Sequence, residues 1–297
     1  MNKEQFAKEL VKVIQLRLGE SYSVESHYVT KNNGVKLLAV IIRENHQTVY
    51  PTIYIDGYYE EYCKGRDVLY IACDMIDSFR SYNNYSESDF FEDLRCLPKN
   101  IKCKLINTEA NRLLLDNAPH KEWNDLSIIY YMDMGVEDGF HKSMTITNML
   151  MEALGLNLNE LERLANKNME QPHIESMLSI MLRANGLDDV FGESDFIENS
   201  NNMYVITNED KWNGAICALQ KDILKDFAIQ KNVEKVFIIP SSLHEMILVL
   251  DNGDLCAQEL NRIIREVNQD PDCLDPQEVL STHCYIYNRQ TDSISVA

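Results

Sequence analysis

Residues 240–245 read Pro-Ser-Ser-Leu-His-Glu and lie between the apolar runs KVFII and MILVL. Two hydroxyls, an imidazole and a carboxylate within six residues are the ingredients of nucleophilic catalysis. In that reading Ser241 or Ser242 attacks, His244 takes its proton and Glu245 orients the imidazole. The chemistry needs nucleophile and base within hydrogen-bond reach, with the acid on the ring's other nitrogen. In an extended chain neighbouring side chains point to opposite faces, so His244 and Glu245 diverge. Ser242 and His244 share a face, but their Cβ atoms are then about 7 Å apart. No G-x-S-x-G elbow is present to expose a hydroxyl. The favoured reading is a turn, in which Pro240 ends a strand, a serine hydroxyl satisfies a turn amide and His244 bonds a backbone carbonyl.

Other residue types with chemical potential cluster in two places. The segment APHKEWNDL holds His120, Glu122, Trp123, Asn124 and Asp125. Together they could line a pocket, or form a turn before a strand with Trp123 closing the edge of the core. The tyrosines of GYYEEYCKG could face a ligand or a partner protein. At helical spacing, Tyr58 and Tyr62 read better as half-buried packing groups. No metal site is expected: the chain has no H-E-x-x-H, and its eight cysteines form no C-x-x-C pair. Asp251-Asn252-Gly253-Asp254 lacks the alternating ligands of a calcium loop and reads as a turn. With neither G-x-x-x-x-G-K-[ST] nor G-x-G-x-x-G present, no nucleotide cofactor is expected.

The charge narrows the partners. Net charge is −19 over 297 residues, yet residues 1–50 carry seven Lys/Arg against five Asp/Glu. The remainder therefore carries −21. Such a surface repels phosphate backbones, which disfavours nucleic acid and allows a basic or otherwise protein partner. No apolar stretch approaches the roughly 20 residues of a membrane helix. The opening MNKEQFAKELVKVIQLRLGE is amphipathic and lacks the apolar core of a signal peptide, so cytoplasmic residence with free thiols is expected.

The elements that must position these residues follow from periodicity. Phe6, Leu10, Ile14 and Leu18 form the stripe of a helix over residues 3–18, with an Asn2/Gln5 capping box and Gly19 as its stop. Strands YSVESHYVT, VKLLAVIIRE and TVYPTIYI follow, the first two joined at Asn33-Gly34. The middle one is apolar on both faces, and Pro51 sends the third to an edge. Val68, Ile71, Ala72, Met75 and Phe79 then repeat as a helix. Ser86 can cap a short helix with Phe90 and Leu94. IKCKLI and LSIIYYMDM read as strands. An Asn157/Glu160 capping box opens another helix, and Pro172 opens a further one through Met177 and Met181. The polar stretch 187–202 reads as a loop or boundary. Strands MYVIT and AICAL flank a turn at Asn213-Gly214, and a helix DILKDFAIQK, strands KVFII and MILVL, a helix AQELNRIIREV and a strand STHCYIYN complete the pattern.

The expected class is α+β: an N-terminal helix with a three-stranded antiparallel sheet, a helical middle and a C-terminal sheet with helices on one side. The expected units are 1–140, a helical connector 141–200, and 201–297, or one continuous domain. Four stretches carry a resemblance over roughly residues 5–290: GVKLLAVIIRENHQTVYPTIYIDGYYEEYCKGRD, LLLDNAPHKEWNDLSIIYYM, MTITNMLMEALGLNLNELERLANKN, and MYVITNEDKWNGAICAL with VFIIPSSLHEMILV. Together they resemble an uncharacterised domain-of-unknown-function family of anaerobic Gram-positive bacteria, the last stretch being the most distinctive. The resemblance implies an α+β fold and cytoplasmic residence, and carries over no catalytic residue. The functional expectation is a non-enzymatic binding or adaptor protein. The alternative is a hydrolase with a Ser/His/acid site around the PSSLHE segment, using Ser242, His244 and a distant carboxylate. A third reading is an acidic nucleic-acid-mimicking inhibitor of a basic protein.

Overall fold

A computed structural model describes residues 1–44, 50–82, 98–137, 140–187, 202–253 and 255–297. The short helix expected after Ser86 and nearly all of the 187–202 stretch lie outside the described residues. The chain is of mixed helix and sheet and divides into two compact units, Met1–Leu97 and Pro98–Ala297. The boundaries expected at 140 and 200 both fall inside the second unit, because strand pairing crosses each of them. Among the described residues no helix is long and apolar enough to cross a membrane.

In the first unit, α1 (Lys3–Leu18) starts at the reciprocal Asn2/Gln5 capping box, each side chain bonding the other residue's backbone amide. β1 (Tyr22–Thr30), β2 (Lys36–Glu44) and β3 (Thr52–Tyr54) form an antiparallel sheet with β2 in the centre. Period-two alternation puts Leu38, Val40 and Ile42 on one face of β2. They are buried in one cluster with Phe6, Leu10 and Ile14 of α1. Helix α2 (Asp56–Cys63) and α3 (Val68–Tyr82) follow, and Ile71, Met75 and Phe79 of α3 complete that core.

The second unit holds two antiparallel sheets. One has β6 (Leu126–Glu137) between β4 (Ile101–Asn107) and β5 (His120–Trp123), with β7 (Phe140–Thr145) also paired to β6. The other has six strands in the order β13-β12-β10-β11-β9-β8: β8 (His173–Ser176), β9 (Met203–Thr207), β10 (Lys235–Pro240), β11 (Met246–Leu250), β12 (Tyr285–Asn288) and β13 (Ser293–Val296). Helices α4 (Asn148–Ala153), α5 (Leu158–Lys167), α6 (Met177–Ala184), α7 (Lys221–Gln230) and α8 (Ala257–Asn268) intervene. The Asn157/Glu160 capping box opens α5.

Two local expectations are corrected. Residues 173–176 are a strand rather than the first turn of a helix. They pair with β9 from His173↔Thr207 to Ser176↔Tyr204, and α6 starts only after Ser176, whose hydroxyl accepts from the Ser179 amide. Cross-strand pairing outweighs a weak local helix preference here. The run GAICAL is a 3-10 helix, Gly214–Leu219, rather than a strand. Ala215 to Ala218 are all buried, so the run has no polar face whose spacing could tell a strand from a helix.

Candidate functional site

The loop that follows β9 organises a polar cluster in the second unit. Asn208 clamps it from within: its Oδ1 accepts from the Trp212 amide at 3.1 Å and its Nδ2 donates to the Trp212 carbonyl at 2.9 Å. Lys211 and Asn213 both hold left-handed backbone conformations, with φ 51° and 54°. Left-handed backbone is costly for a lysine and milder for an asparagine, and it persists only where surrounding bonds fix it. Those bonds come from the β10–β11 hairpin. The Thr207 hydroxyl donates to the His244 carbonyl at 2.6 Å, the Ala215 amide to the Leu243 carbonyl at 3.2 Å, and the Asn213 amide to His244 Nδ1 at 3.1 Å.

These contacts decide what His244 can do. Nδ1 is an acceptor for a backbone amide, so in the neutral ring the proton sits on Nε2. Nε2 lies 3.4 Å from Glu278 Oε1, on a turn far along the chain. Neither nitrogen faces a serine oxygen. Ser242 Oγ instead accepts from the His244 backbone amide at 3.0 Å, closing the hairpin turn, and Ser242 itself is buried. Ser241 Oγ reaches Glu245 Oε1 at 3.4 Å. A serine hydroxyl thus satisfies a turn amide, while the imidazole takes a backbone N–H rather than a backbone carbonyl. Glu245 is not the acid beside the ring; Glu278 is.

The indole of Trp212 lies between two imidazoles. His141 of β7 stacks on it at 4.5 Å between centroids with planes 2° apart, and His244 lies 4.5 Å away, tilted by 32°. Trp212 Nε1 is buried with no hydrogen-bond partner.

Beside this stack, Lys102 of β4 sits among carboxylates. Its Nζ is 2.8 Å from Asp133 and 3.7 Å from Asp210, and it bonds Glu170. Burial opposes the charge, but the Asp133 and Glu170 hydrogen bonds outweigh it and hold the ammonium above its usual range. A small cavity opens next to it, lined in part by Tyr131, Glu170, Asn213 and the thiols of Cys103 and Cys217. Burial pushes the Tyr131 phenol up to about 12, with the nearby Asn213 amide pulling the other way. That approach falls short of hydrogen-bond geometry, and Asn213 Nδ2 stays buried without an acceptor. Among the described residues no group of three His, Cys, Asp or Glu is placed to hold a metal ion.

Burial pushes both cavity thiols up to about 12. An unfolded thiol titrates near 8.5. The folded values are raised, so the stability contributed by the neutral thiols is complete below about pH 8.5 and is lost as pH rises toward about 12. Urea midpoints should therefore fall steadily between pH 8 and pH 11, and Cys103 and Cys217 should resist a thiol reagent that modifies the exposed Cys63 and Cys256 at once. Fast modification of all these thiols in the folded protein would contradict this placement.

The remaining sequence candidates are dispersed. His120 and Trp123 belong to the strand β5, where His120 Nδ1 meets the Ala118 carbonyl at 2.9 Å. Trp123 packs on Tyr285 at 4.8 Å between centroids. Glu122 is exposed and Asn124 takes a left-handed conformation in the β5–β6 turn. Asp125 is the chemically dense member of this group. It accepts from Ser281 Oγ at 2.6 Å and the Tyr285 hydroxyl at 2.5 Å, and lies 3.1 Å from His283 Nε2. Here the carboxylate, not the imidazole, is central and bonds the serine directly, the reverse of a nucleophilic triad. In the first unit Tyr62 stacks on Phe6 at 5.0 Å and its hydroxyl accepts from the Met1 amine. Tyr58 lies 3.4 Å from Ser78 Oγ and packs against the same core.

A family model described as a family of unknown function, DUF5688, matches residues 3–289. The chain belongs to that family. No curated protein and no solved structure matches it. The DUF5688 chain thus carries a hydrogen-bonded polar loop in TNEDKWNGA, residues 207–215, the stretch that also stands out in sequence. Reading that stretch as a plain turn missed Trp212 and Asn213. His141, Lys102, Asp133 and Glu278 were missed because no local pattern marks them; pairing between distant segments brings them in.

Proposed function

We propose that this protein works by binding rather than by covalent chemistry, as a cytoplasmic protein whose acidic surface meets a protein partner. The observation that carries the reading is the state of His244. Its Nδ1 lone pair is taken by the Asn213 amide and its Nε2 faces Glu278, so no free base is left for either serine. The net charge of −19 supports a partner other than nucleic acid.

One observation favours the hydrolase alternative: Glu278 reaches the imidazole from a distant segment, as the acid of a triad does. The two readings separate cleanly. A fluorophosphonate probe is expected to leave Ser241 and Ser242 unlabelled, and activated esters to be hydrolysed no faster than by free imidazole. Ser242→Ala is then expected to cost about 1 kcal/mol of stability through the lost turn bond, with no other effect. Labelling of Ser242, or a burst of ester cleavage that Ser242→Ala abolishes, would establish the hydrolase instead.

A further inference from the structure

The cavity beside Lys102 holds an unmet hydrogen-bond donor. Asn213 is 2% exposed, its Nδ2 has no acceptor, and it lines this cavity. The backbone amide of Asn213 is tied to His244 Nδ1, which fixes the backbone from which its side chain enters the cavity wall. The space admits about one water-sized group at a time, so only the polar end of a small molecule enters it. Its charge narrows what that molecule is. One ammonium faces the carboxylates of Asp133, Glu170 and Asp210, so an anion is repelled.

We propose that this cavity binds the carboxamide group of a small uncharged molecule. The amide carbonyl accepts from Asn213 Nδ2, and the amide N–H donates to the carboxylate of Glu170, which lines the same cavity. A carboxamide offers both functions side by side; a ketone or an ether offers only the first. The proposal needs only this cavity and stands apart from the partner protein proposed above.

The test uses the full chain with labelled methionine and isoleucine methyl groups, titrated with acetamide and, separately, with acetate at matched ionic strength. Acetamide is expected to shift the Met169 and Ile216 methyl resonances saturably, since both side chains line the cavity. Acetate should bind at least about tenfold more weakly. Asn213→Asp keeps the shape and the left-handed backbone but replaces the donor with an acceptor, and should weaken acetamide by about tenfold or more. If that variant does not fold, the comparison of acetamide with acetate on the natural chain still decides. No saturable shift, an equal response to acetate, or a crystal soaked in acetamide that shows only water on Asn213 Nδ2 would each overturn the proposal.

Discussion

Gly214→Ala is expected to destabilise the second unit by about 3 kcal/mol or more, lowering its melting temperature by roughly 10 °C. The backbone angle of Gly214 is not the reason, since its φ is not positive; space is. An added Cβ would stand 2.6 Å from the Asn208 amide nitrogen and 2.7 Å from the His244 carbonyl oxygen, and would also overlap Thr207 Oγ1. Two of those atoms are backbone, fixed by β9 and by the β10–β11 hairpin, and cannot swing aside. Relief requires the loop to part from the hairpin, which breaks the Thr207–His244 and Asn213–His244 bonds together. Both tryptophans, Trp123 and Trp212, lie in residues 98–297, so indole fluorescence during thermal and urea unfolding reports this unit. Gly57→Ala is the control, because a Cβ there meets nothing within 4 Å and the site lies in α2. A melting temperature for Gly214→Ala within about 2 °C of the parent would refute the close approach.

Asp125→Ala should cost about 3 kcal/mol, the second large effect. Its carboxylate is shared by three donors drawn from residues 281–285. Tyr285 is fully buried and Ser281 almost so. Truncation takes the shared acceptor away from two buried hydroxyls, each such loss costing roughly 1–3 kcal/mol. Burial, reinforced by the Asp125 hydrogen bond, already drives the Tyr285 phenol well above its ordinary range, so it cannot escape by ionising. Asp125→Asn keeps one acceptor oxygen and should fall between the parent and the alanine variant. Adding Tyr285→Phe to Asp125→Ala removes one stranded hydroxyl, so the double variant should be more stable than the sum of the single losses. Urea midpoints of the parent, Asp125→Ala, Tyr285→Phe and the double variant measure this, and strict additivity would show that the carboxylate is not shared as described.

Local chemistry was readable where it is settled within a few residues. Asn2 with Gln5 and Asn157 with Glu160 mark helix starts because each cap closes over a single turn. The apolar run of β2 marks a central strand because both of its faces are covered. Readability fails where the deciding contact is distant. Residues 173–176 became a strand through pairing with β9, some 30 residues on, and GAICAL offered no polar face to set its period. The polar cluster fails for the same reason on a larger scale. Its members come from β4, β6, β7, Glu170, the loop after β9, the β10–β11 hairpin and a turn beyond α8, and among these the loop and the hairpin have a distinctive sequence. Within PSSLHE the chain turns between β10 and β11 instead of running extended, and there Glu245 bonds back to Ser241 while His244 looks to Asn213 and Glu278.

The crossing of residues 207, 214 and 244 also restricts how this chain can drift. Thr207→Ala would clear one of the three obstacles to a larger residue at 214 and leave the two backbone ones in place. Exchanging His244 changes an imidazole but not the carbonyl that stands in the way. No single compensating step is therefore open to position 214, and any route away from glycine must pass through a chain that has first rebuilt the hairpin itself.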